Sequence, residues 1–539
     1  MKRARAPRLP SNFRFIRVDE IDCRKERKII KRIALLFVLV FCFSLCGCVS
    51  SSLPITDPNP SVTLPPAEVN YVAPIGDASL EYTKDATLYL PSRDGISLAT
   101  VSTQISCSPV RPDAETLVRA LIAHAGTKNA LSLGGTTRLS LYGTSPVEVS
   151  RDTVTVNLSA SALQLDRETL YLTCQAIANT LTQLDGIEFV NILVVDKPVG
   201  LDIGNTLPMG ALKFNPAQDF GAVYSQLLSR RADDTASSAE PLSANVTLYF
   251  PLLHTDGMVS ETRTMSFENQ VFSDMVTAIL RELASGPYDQ SVQSPPLPLL
   301  ADLLTSTPTL LVSQEQGGNI ISLDFAHNLE EMLDAYGISR RQSMASLCYT
   351  LTTFFPNVNG IRVSINGTPV DPLMLTEDTS ENDASDLLLR SSFSGLLYDY
   401  ATLYYADAAH QTLLASSRPI PYHQRSNPRV LLMELSKGPL PQDSHPELLP
   451  VMEANAISDT TMLGFSLSEN TILVNFSPAF AKLGTEMNSV EERLMAYSLV
   501  NTLCLNEQIK SVCFFMSGTQ FDGFSGDIYW AGLFYPLPV

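Results

Sequence analysis

The chain repeats one order of secondary-structure signals three times, and this repeat limits its fold more than any other feature. Each copy opens on a strand that contains Leu-Tyr and continues with a short helical run, an alternating strand, a second helical run and a closing strand. The Leu-Tyr pairs are Leu88-Tyr89, Leu248-Tyr249 and Leu403-Tyr404. A repeat of this kind within 539 residues predicts three tandem domains, each large enough to fold alone.

The first helical run of each copy ends on a glycine. In the second and third copies the run ends in Leu-x-x-Gly-Pro, at residues 283–287 and 435–439. Glycine adopts the left-handed conformation that closes a helix, and proline prevents the helix from continuing. The first copy has Ala125-Gly126-Thr127 at this point, so we expect a looser stop there.

The second helical run of each copy starts at a capping signal. Ser339 with Gln342 and Ser489 with Glu492 have the spacing of a capping box, and Asp166 is the expected cap of the first copy. The strand before each of these helices alternates with a period of two, which indicates a sheet with one buried face. Its apolar positions are Val154, Val156, Leu158, Ile321, Leu323, Phe325, Ile472, Val474 and Phe476.

A polar residue occupies the same point of each alternating strand: Asn157, Asp324 and Asn475. These residues either line a shared binding surface or hydrogen-bond local backbone beside a turn. We favour the second interpretation because Asn and Asp bond local backbone routinely. The tyrosines of the Leu-Tyr pairs are likewise interpreted as half-buried sheet residues rather than as ligand-stacking residues.

These signals predict an α+β fold of three tandem small domains, each a mixed sheet with two helices packed on one face. Two polar breaks and a Pro/Ser-rich stretch set the domain boundaries. The predicted segments are a signal peptide, a tether, a first domain, a linker, a second domain, a linker and a third domain, at residues 1–47, 48–80, 81–229, 230–244, 245–376, 377–394 and 395–539.

The N-terminal segment has the layout of a lipoprotein signal. A basic stretch ends at Arg32 and is followed by 15 uncharged residues, 33–47, a run too short for an ordinary membrane-spanning helix. The run closes on Leu45-Cys46-Gly47-Cys48, which resembles the bacterial lipobox. This resemblance implies that Cys48 becomes the lipid-bearing (palmitate-bearing) mature N-terminus, with an uncleaved anchor as the alternative.

The charge distribution argues against nucleic-acid binding. The formal net charge is −19, and because residues 1–32 carry +8, the remainder carries −27. An acidic body repels phosphate backbones and anionic membrane surfaces, which leaves the N-terminus as the membrane attachment. The five cysteines after Cys48 show no CxxC spacing, which argues against a disulfide scaffold or zinc site. Cys174, Cys348 and Cys504 lie in apolar helical runs and are predicted to be core residues, with a Cys504–Cys513 bridge as the alternative.

No recognised catalytic motif appears in the sequence. Its six histidines show no HExxH spacing, and GxSxG, Walker A and helix-opening GxGxxG sequences are absent. The acidic run 377–386 lacks EF-hand spacing and is interpreted as a solvated linker. We therefore expect no enzyme activity, cofactor or metal site. The aromatic segment 528–538 is either an exposed docking segment or, as we favour, an added strand on the third domain.

The order of these signatures resembles the GerMN domain of sporulation and spore-germination lipoproteins. The third copy carries residues 472–480 (ILVNFSPAF) and 500–503 (VNTL), and the first carries 154–159 (VTVNLS) and 178–181 (ANTL). The second copy has Tyr349-Thr350-Leu351 in place of Asn-Thr-Leu. The resemblance implies a compact α/β domain similar to ring-building motifs, and a non-catalytic role in the cell envelope.

The lipobox and the resemblance together imply a lipid-anchored assembly protein on the extracytoplasmic face of the cell membrane. We expect it to act through contacts with envelope or sporulation-channel proteins, in sporulation or spore germination, and self-association is left open. The alternative function is that of an envelope lipoprotein that binds a cell-wall fragment or germinant in a cleft between domains.

Overall fold

The computed structural model describes most of the chain after the N-terminal segment. The described residues are 62–63, 71–77, 80–229, 241–313, 318–370, 386–441, 443, 447–521, 523–524 and 528–537. The predicted signal peptide, Cys48 and residues 377–385 of the acidic linker lie outside them. The described residues belong to one compact unit, and they include no helix long and apolar enough to span a membrane.

Each domain has the same order of elements. Two short strands precede the first domain, β1 (Val62–Thr63) and β2 (Gly76–Asp77). The first domain then contains β3 (Tyr82–Pro91), β4 (Leu98–Cys107), α1 (Asp113–Ala123), β5 (Val147–Ser150), β6 (Thr153–Leu158), α2 (Arg167–Leu181), β7 (Phe189–Val194), β8 (Lys197–Pro198) and α3 (Phe220–Ser229).

The second and third domains repeat this order with small additions. The second contains β9 (Leu242–Pro251), β10 (Met258–Phe267), α4 (Phe272–Ala284), β11 (Thr309–Ser313), β12 (Gly318–Phe325), α5 (Leu329–Ala335), α6 (Arg340–Phe354), β13 (Val358–Ile365) and β14 (Thr368–Pro369). The third contains β15 (Tyr398–Ala406), β16 (Leu413–Pro421), α7 (Pro428–Ser436), β17 (Met462–Ser468), β18 (Thr471–Phe476), α8 (Pro478–Ala481), α9 (Ser489–Leu503), β19 (Ser511–Met516), β20 (Thr519–Gln520) and β21 (Leu533–Phe534). Short 3₁₀ helices lie at Ala160–Gln164, Leu300–Leu303, Arg390–Phe393, Tyr422–Gln424 and Lys482–Glu486.

Every domain is built on two sheets. The long hairpin (β3–β4 in the first domain) forms a two-stranded antiparallel sheet. The second sheet is mixed, because β5 and β6 are antiparallel whereas β6 and β7 are parallel. The second and third domains have the same pairings. The α+β class and the three tandem mixed-sheet domains predicted from the sequence are therefore confirmed.

The second helix of each domain is enclosed by both sheets. In α2 every residue of 170–181 is buried, and the helix contacts both β3 and β7. The outer edge of β3 lacks a neighbouring strand, and the backbone N–H of Tyr89 donates instead to Thr180 Oγ1 at 3.0 Å. Tyr249 donates in the same way to Thr350 Oγ1 at 3.1 Å. The threonine at this position of the second helix thus accepts a hydrogen bond from a backbone N–H at the unpaired edge of the Leu-Tyr strand.

In the second and third domains a buried arginine hydrogen-bonds the glycine that ends the first helix, α4 or α7. Gly286 and Gly438 have positive φ angles of 71° and 77°, as the Leu-x-x-Gly-Pro motif predicts. Arg263 donates to the Gly286 carbonyl at 2.5 Å, and Arg418 donates to the Gly438 carbonyl at 2.6 Å. The helix C-terminus carries partial negative charge, so a cation there is stabilising. The first domain has Thr103 at the equivalent position of its hairpin, which agrees with the looser stop expected there.

The caps of the second helices are confirmed in two domains and corrected in one. Ser339 and Gln342 form a capping box, and Asp166 accepts from the N–H of Thr169 at 2.9 Å. In the third domain the box consists of Asn488 and Glu491, one residue earlier than Ser489 and Glu492. Asn is as good a cap as Ser, and Glu492 turns inward, where it accepts from Trp530 Nε1 at 2.8 Å.

Two predicted linkers are shorter than the sequence indicates. Residues 71–77, at the end of the predicted tether 48–80, pack on the third domain. In the predicted linker 377–394, Leu388 forms a bridge with Ile361 at the edge of β13. Apolar residues of both segments pack against the domains. A composition rich in Pro, Ser and acidic residues does not predict this packing.

The aromatic C-terminal segment is an added strand, as favoured from the sequence. β21 pairs antiparallel with β19, and Trp530 is fully buried. The first two domains have the same addition, because Leu212 pairs with Val190 and Leu388 pairs with Ile361. The added strand is therefore part of the repeated unit.

Candidate functional site

The outer face of each mixed sheet, opposite the enclosed helix, is the surface that the domains use for docking. In the first domain it consists of Thr153, Thr155, Asn157, Asn191 and Leu193. Its equivalents in the second domain are Ile320, Ser322, Asp324, Arg362 and Ser364, and in the third Thr471, Leu473, Asn475, Cys513 and Phe515. All these residues are buried in the first and third domains. In the second domain Ile320 is buried and the other four are half-exposed.

The outer face of the first domain is covered by the long hairpin of the second. Asn191 Nδ2 donates to Thr247 Oγ1 at 2.8 Å, and the hydroxyls of Thr153 and Thr262 lie 2.8 Å apart. Thr247 and Thr262 face each other across β9 and β10. The contact is thus a set of short hydrogen bonds between hydroxyl and amide side chains, all removed from water.

The outer face of the third domain is covered by an N-terminal strap, which we define as residues 62–63 and 71–77. Tyr71 and Ala73 pack on the outer-face residues Leu473, Cys513 and Phe515. Strand β1 pairs with β21 at one edge of the sheet, and β2 pairs in parallel with β17 at the other. The strap therefore adds a strand to each edge of this sheet.

An ion pair and a close backbone approach fix the end of the strap. Asp77 accepts two hydrogen bonds from Arg429, at 2.7 and 2.8 Å. The hydrogen bond from Arg429 holds the pKa of the Asp77 carboxyl below its usual value. A Cβ atom on Gly464 would lie only 2.3 Å from the Gly76 carbonyl oxygen, so the glycine at 464 allows the strands to approach.

The three domains meet at Ser150 and Arg151. Ser150 Oγ accepts from the N–H of Ser260 in the second domain at 2.9 Å and donates to the Tyr398 carbonyl of the third at 2.8 Å. The N–H of Arg151 donates to Asp399 at 3.0 Å. The second and third domains also touch, because Met258 forms a bridge with Leu397, so each pair of domains is in contact.

A buried ion pair also joins the first domain to the segment after the second. Arg390 contacts Glu148 at 2.5 Å, and its guanidinium lies 3.9 Å from the centre of the Tyr349 ring. Arg390 also donates to Thr353 Oγ1 at 2.6 Å. The segment predicted as part of a solvated linker therefore carries a structural side chain.

The polar residue of each alternating strand holds a turn, as the favoured interpretation predicts. Asn157 accepts from the N–H of Asp196 at 3.0 Å, Asp324 from that of Gly367 at 2.8 Å, and Asn475 from that of Gly518 at 3.1 Å. All three bonded residues have positive φ angles, in the tight turn after the closing strand. The three polar residues are therefore structural and do not converge on one site.

The tyrosines of the Leu-Tyr strands are also structural. Tyr89 is half-buried with its ring 5.8 Å from Phe214, and Tyr249 is buried 5.2 Å from Tyr349. Tyr404 is half-buried on β15. Their positions confirm the interpretation as sheet residues.

The cysteines and histidines are dispersed through the described residues. Cys107, Cys174, Cys348, Cys504 and Cys513 are free thiols, so the Cys504–Cys513 bridge is not formed. Burial raises the pKa of each of these thiols to about 12, which suits core residues rather than nucleophiles. The described part of the chain holds no cluster of His, Cys, Asp and Glu that suits a metal ion.

One cleft of about 430 Å³ lies between the strap, the first domain and the third. Its lining includes Arg111, Cys107 and Phe465, together with the paired Asp77 and Arg429. Arg429 already forms an ion pair with Asp77 of the strap. The cleft is a location for a small polar ligand, but it brings together no catalytic set.

The sequence could not identify the outer faces as docking surfaces. Their polar side chains alternate with core residues, as they would on any solvated sheet. One signal was present: the third domain has Leu473, Cys513 and Phe515 where the first has Thr155, Asn191 and Leu193. Apolar residues on both faces of a sheet indicate that both faces are covered.

Comparisons with known proteins agree with the repeated fold. The model of the Germane domain, described as sporulation and spore germination, matches residues 87–200, 247–371 and 402–522. No curated protein matches the chain significantly.

Two solved structures illustrate the similarity. The tandem GerMN domains of the sporulation protein GerM from Bacillus subtilis are 19% identical over 58% of this chain and 98% of theirs, with a TM-score of 0.21. The first GerMN domain of that protein is 22% identical over 23% of this chain and 87% of its own, with a TM-score of 0.19. Values this low transfer no function to this chain.

The family model alone spans well over half of the chain, once in each structural domain. Its three matches begin within the Leu-Tyr hairpins and end after the closing strands. The chain therefore belongs to the Germane (GerMN) family, whose name marks it as a protein of sporulation or spore germination.

Proposed function

We propose that the protein is a lipid-anchored scaffold on the extracytoplasmic face of the cell membrane, which holds partner proteins together during sporulation or spore germination. The observation that carries the proposal is the outer face of the mixed sheet. It binds a hairpin in the first domain and a strap in the third, and it is only partly covered in the second. A fold that docks both kinds of segment suits the assembly of proteins.

Two further features support this role. The lipobox-like Leu45-Cys46-Gly47-Cys48 supplies the attachment. The GerMN family is not known for enzymatic activity. Lipid attachment confines the chain to a surface, so that modest contacts with other envelope proteins suffice.

The attachment is tested by fractionation of cells that express tagged variants. Cys48→Ala removes the proposed lipid site, so the protein is expected to leave the membrane fraction or to remain as an unprocessed, larger form. Cys46→Ala is the matched control, because it changes a neighbouring cysteine and leaves Cys48. Identical fractionation and size of all three forms would contradict lipid attachment.

The scaffold role is tested by in-cell crosslinking of a C-terminally tagged chain in growing and starved cells. We expect a defined set of envelope proteins, enriched on starvation. Recovery of the chain without other proteins under both conditions would contradict the proposal.

A second candidate is a lipoprotein that binds a cell-wall fragment or germinant, and the cleft beside the strap favours it. Thermal unfolding with muropeptides and germinant amino acids tests it. A rise in Tm that Arg111→Ala abolishes would support this function. Unchanged curves across the panel would exclude it for those ligands.

A further inference from the structure

We propose that the outer face of the second domain binds the first-domain hairpin of another copy of this chain. The inference deepens the scaffold role and rests on it, because it names one of the partners that a scaffold needs. Its experiment measures self-association of the purified chain, so a negative result would leave binding to other envelope proteins untouched.

The molecule already contains one complete example of this contact. The outer face of the first domain receives the hairpin β9–β10 of the second, through Asn191 with Thr247 and Thr153 with Thr262. Because the domains are repeats, the same two surfaces exist on every domain. The question is which of them remain unoccupied.

The receiving surface that remains is that of the second domain. Ser322, Asp324, Arg362 and Ser364 are half-exposed, whereas their equivalents in the first and third domains are buried under the hairpin or the strap. Arg362 is paired with Asp386 at 2.7 Å, and each side chain is about one-third exposed. The face is therefore polar and partly exposed, and it carries the cation Arg362 together with the acidic Asp324 and Asp386.

The inserting surface that remains is the hairpin of the first domain. Its Asp85, Thr87, Ser102 and Gln104 stand where β9 and β10 have Asn245, Thr247, Thr262 and Thr264. The cross-strand register is identical, since Thr87 faces Ser102 as Thr247 faces Thr262. Asp85, Ser102 and Gln104 are exposed, and Thr87 is half-exposed.

The receiving face and the hairpin carry one pair of opposite charges. Within the molecule two neutral residues take part in the contact: Asn191 of the face donates to Thr247, and Asn245 of the hairpin donates to the Ala211 carbonyl. Between copies these positions become Arg362 and Asp85, which carry opposite charges. Arg362 takes the place of the donor Asn191, opposite the hydroxyl of Thr87. Electrostatic complementarity of this kind sets orientation and suppresses wrong partners.

The third-domain hairpin is a poorer occupant. Its equivalents of Asp85 and Gln104 are Tyr400 and Pro419, which lack a charge. Tyr400 already packs on the apolar cluster that contains Leu252 and Val259 of the second domain. The hairpin of the first domain is thus the inserting surface that fits Arg362.

The proposed contact is heterologous, because it joins different surfaces on the two copies. Each copy then offers one receiving and one inserting surface, so the contact propagates into a ring or an open chain rather than stopping at a dimer.

Crosslinking between two differently tagged full chains, purified in mild detergent, tests the contact. One chain carries Thr87→Cys, equivalent to the bonded Thr247, and the other carries Ser322→Cys, which lies directly beside Arg362 across β12 and β13 and leaves its charge in place. A short bis-maleimide should join them, with the 87–322 peptide several-fold above the background of the native cysteines. The matched control pairs Thr87→Cys with Asp459→Cys, which is exposed on another surface. Yields equal to that control would overturn the proposal.

Sedimentation velocity of the same full chain provides a test without added cysteines. The weight-average mass should rise with concentration above the 58.8 kDa of one copy. Arg362→Asp should lower the association constant several-fold, and the combination with Asp85→Arg should restore it. A monomer at all concentrations, or a charge reversal without effect, would refute the contact.

Discussion

At the residue scale, the structure depends on a few buried polar side chains that hydrogen-bond backbone groups left without a partner at a strand edge or helix end. Thr180 shows this in the first domain, because its hydroxyl accepts from the N–H of Tyr89 and donates to the Ala176 carbonyl at 2.8 Å. Thr502 holds the same place in the third domain, yet its buried hydroxyl has no hydrogen-bond partner among the described residues. A comparison of the two equivalent threonines therefore measures how much this hydrogen bond contributes to the free energy of unfolding.

Valine substitutions at the two threonines are expected to change the free energy of unfolding by different amounts. Thr180→Val leaves the buried N–H of Tyr89 unsatisfied and should lower the free energy of unfolding by about 1–3 kcal/mol. Thr502→Val removes a hydroxyl that was buried without a partner and should be neutral or slightly stabilising. Urea unfolding followed by far-UV circular dichroism measures both. Equal losses would show that the hydrogen bond to Tyr89 is not what matters.

The buried pair of Arg418 and Asp443 is the residue-scale feature with the largest expected effect. Both side chains are almost inaccessible, at 1% and 0% exposure, and their charged groups lie 2.6 Å apart. Burial alone would lower the pKa of Arg418, but the hydrogen bonds and charge of Asp443 raise it. Arg418 therefore stays charged in the folded protein and remains dependent on its partner.

Replacement of Arg418 by Met leaves Asp443 buried without its cation, which should cost about 3–5 kcal/mol. Trp530 is the single tryptophan of the chain and is buried in the third domain, so its fluorescence follows the unfolding of that domain. Arg119→Ala, which removes an exposed pair with Glu115, is the control and should change stability by less than about 0.5 kcal/mol. A midpoint for Arg418→Met that matches the control would contradict this account.

At the element scale, the sequence predicts the features that depend on neighbouring residues, but it does not predict contacts between segments that lie far apart in the chain. Helix ends, caps and alternating strands follow from residues within a few positions of each other, and most were found. Glu492 was misassigned because its partner, Trp530, lies far along the chain. Arg263 and Arg418 resemble ordinary charged strand residues until the helix end that they cap is placed beside them.

The strap is the clearest case of an element that local composition conceals. A Pro/Ser-rich segment is typical of a flexible tether, yet Gly76 and Asp77 pair with Gly464 and Phe465. The pairing joins segments nearly 400 positions apart and depends on the glycine at 464, and a single sequence does not show such a match. With the strap docked, the chain between Cys48 and Val62 would extend only on the order of 45 Å from a lipid anchor.

Gly464→Val should release the strap without unfolding the third domain. The Cβ atom would collide with the Gly76 carbonyl, whereas the Gly464 backbone itself needs no left-handed conformation. Hydrogen exchange should then accelerate in residues 71–77 and remain slow in α9. Leu463→Ala, at a neighbouring and largely exposed position, should leave both segments protected. Unchanged exchange of the strap in Gly464→Val would show that this strand pairing does not hold it.

At the scale of the whole molecule, three copies of one domain form one assembly because a single surface is used in different ways. The first outer face receives a hairpin, the third receives the strap, and the second is only partly covered. The repeat could be predicted from the sequence, since each copy carries its own signals. The use of the outer faces could not, because it depends on how the copies are placed relative to each other.

Thiol labelling at three equivalent positions tests this central claim most directly. Thr155→Cys, Ser322→Cys and Leu473→Cys place a thiol at the same point of the three outer faces, and peptide mass spectrometry of the dilute full chain separates their labelling from that of the native cysteines. The account predicts that Cys at position 322 reacts with a maleimide at least tenfold faster than Cys at 155 or 473. Equal reactivity at the three positions, or slow labelling at 322 in the dilute chain, would contradict it.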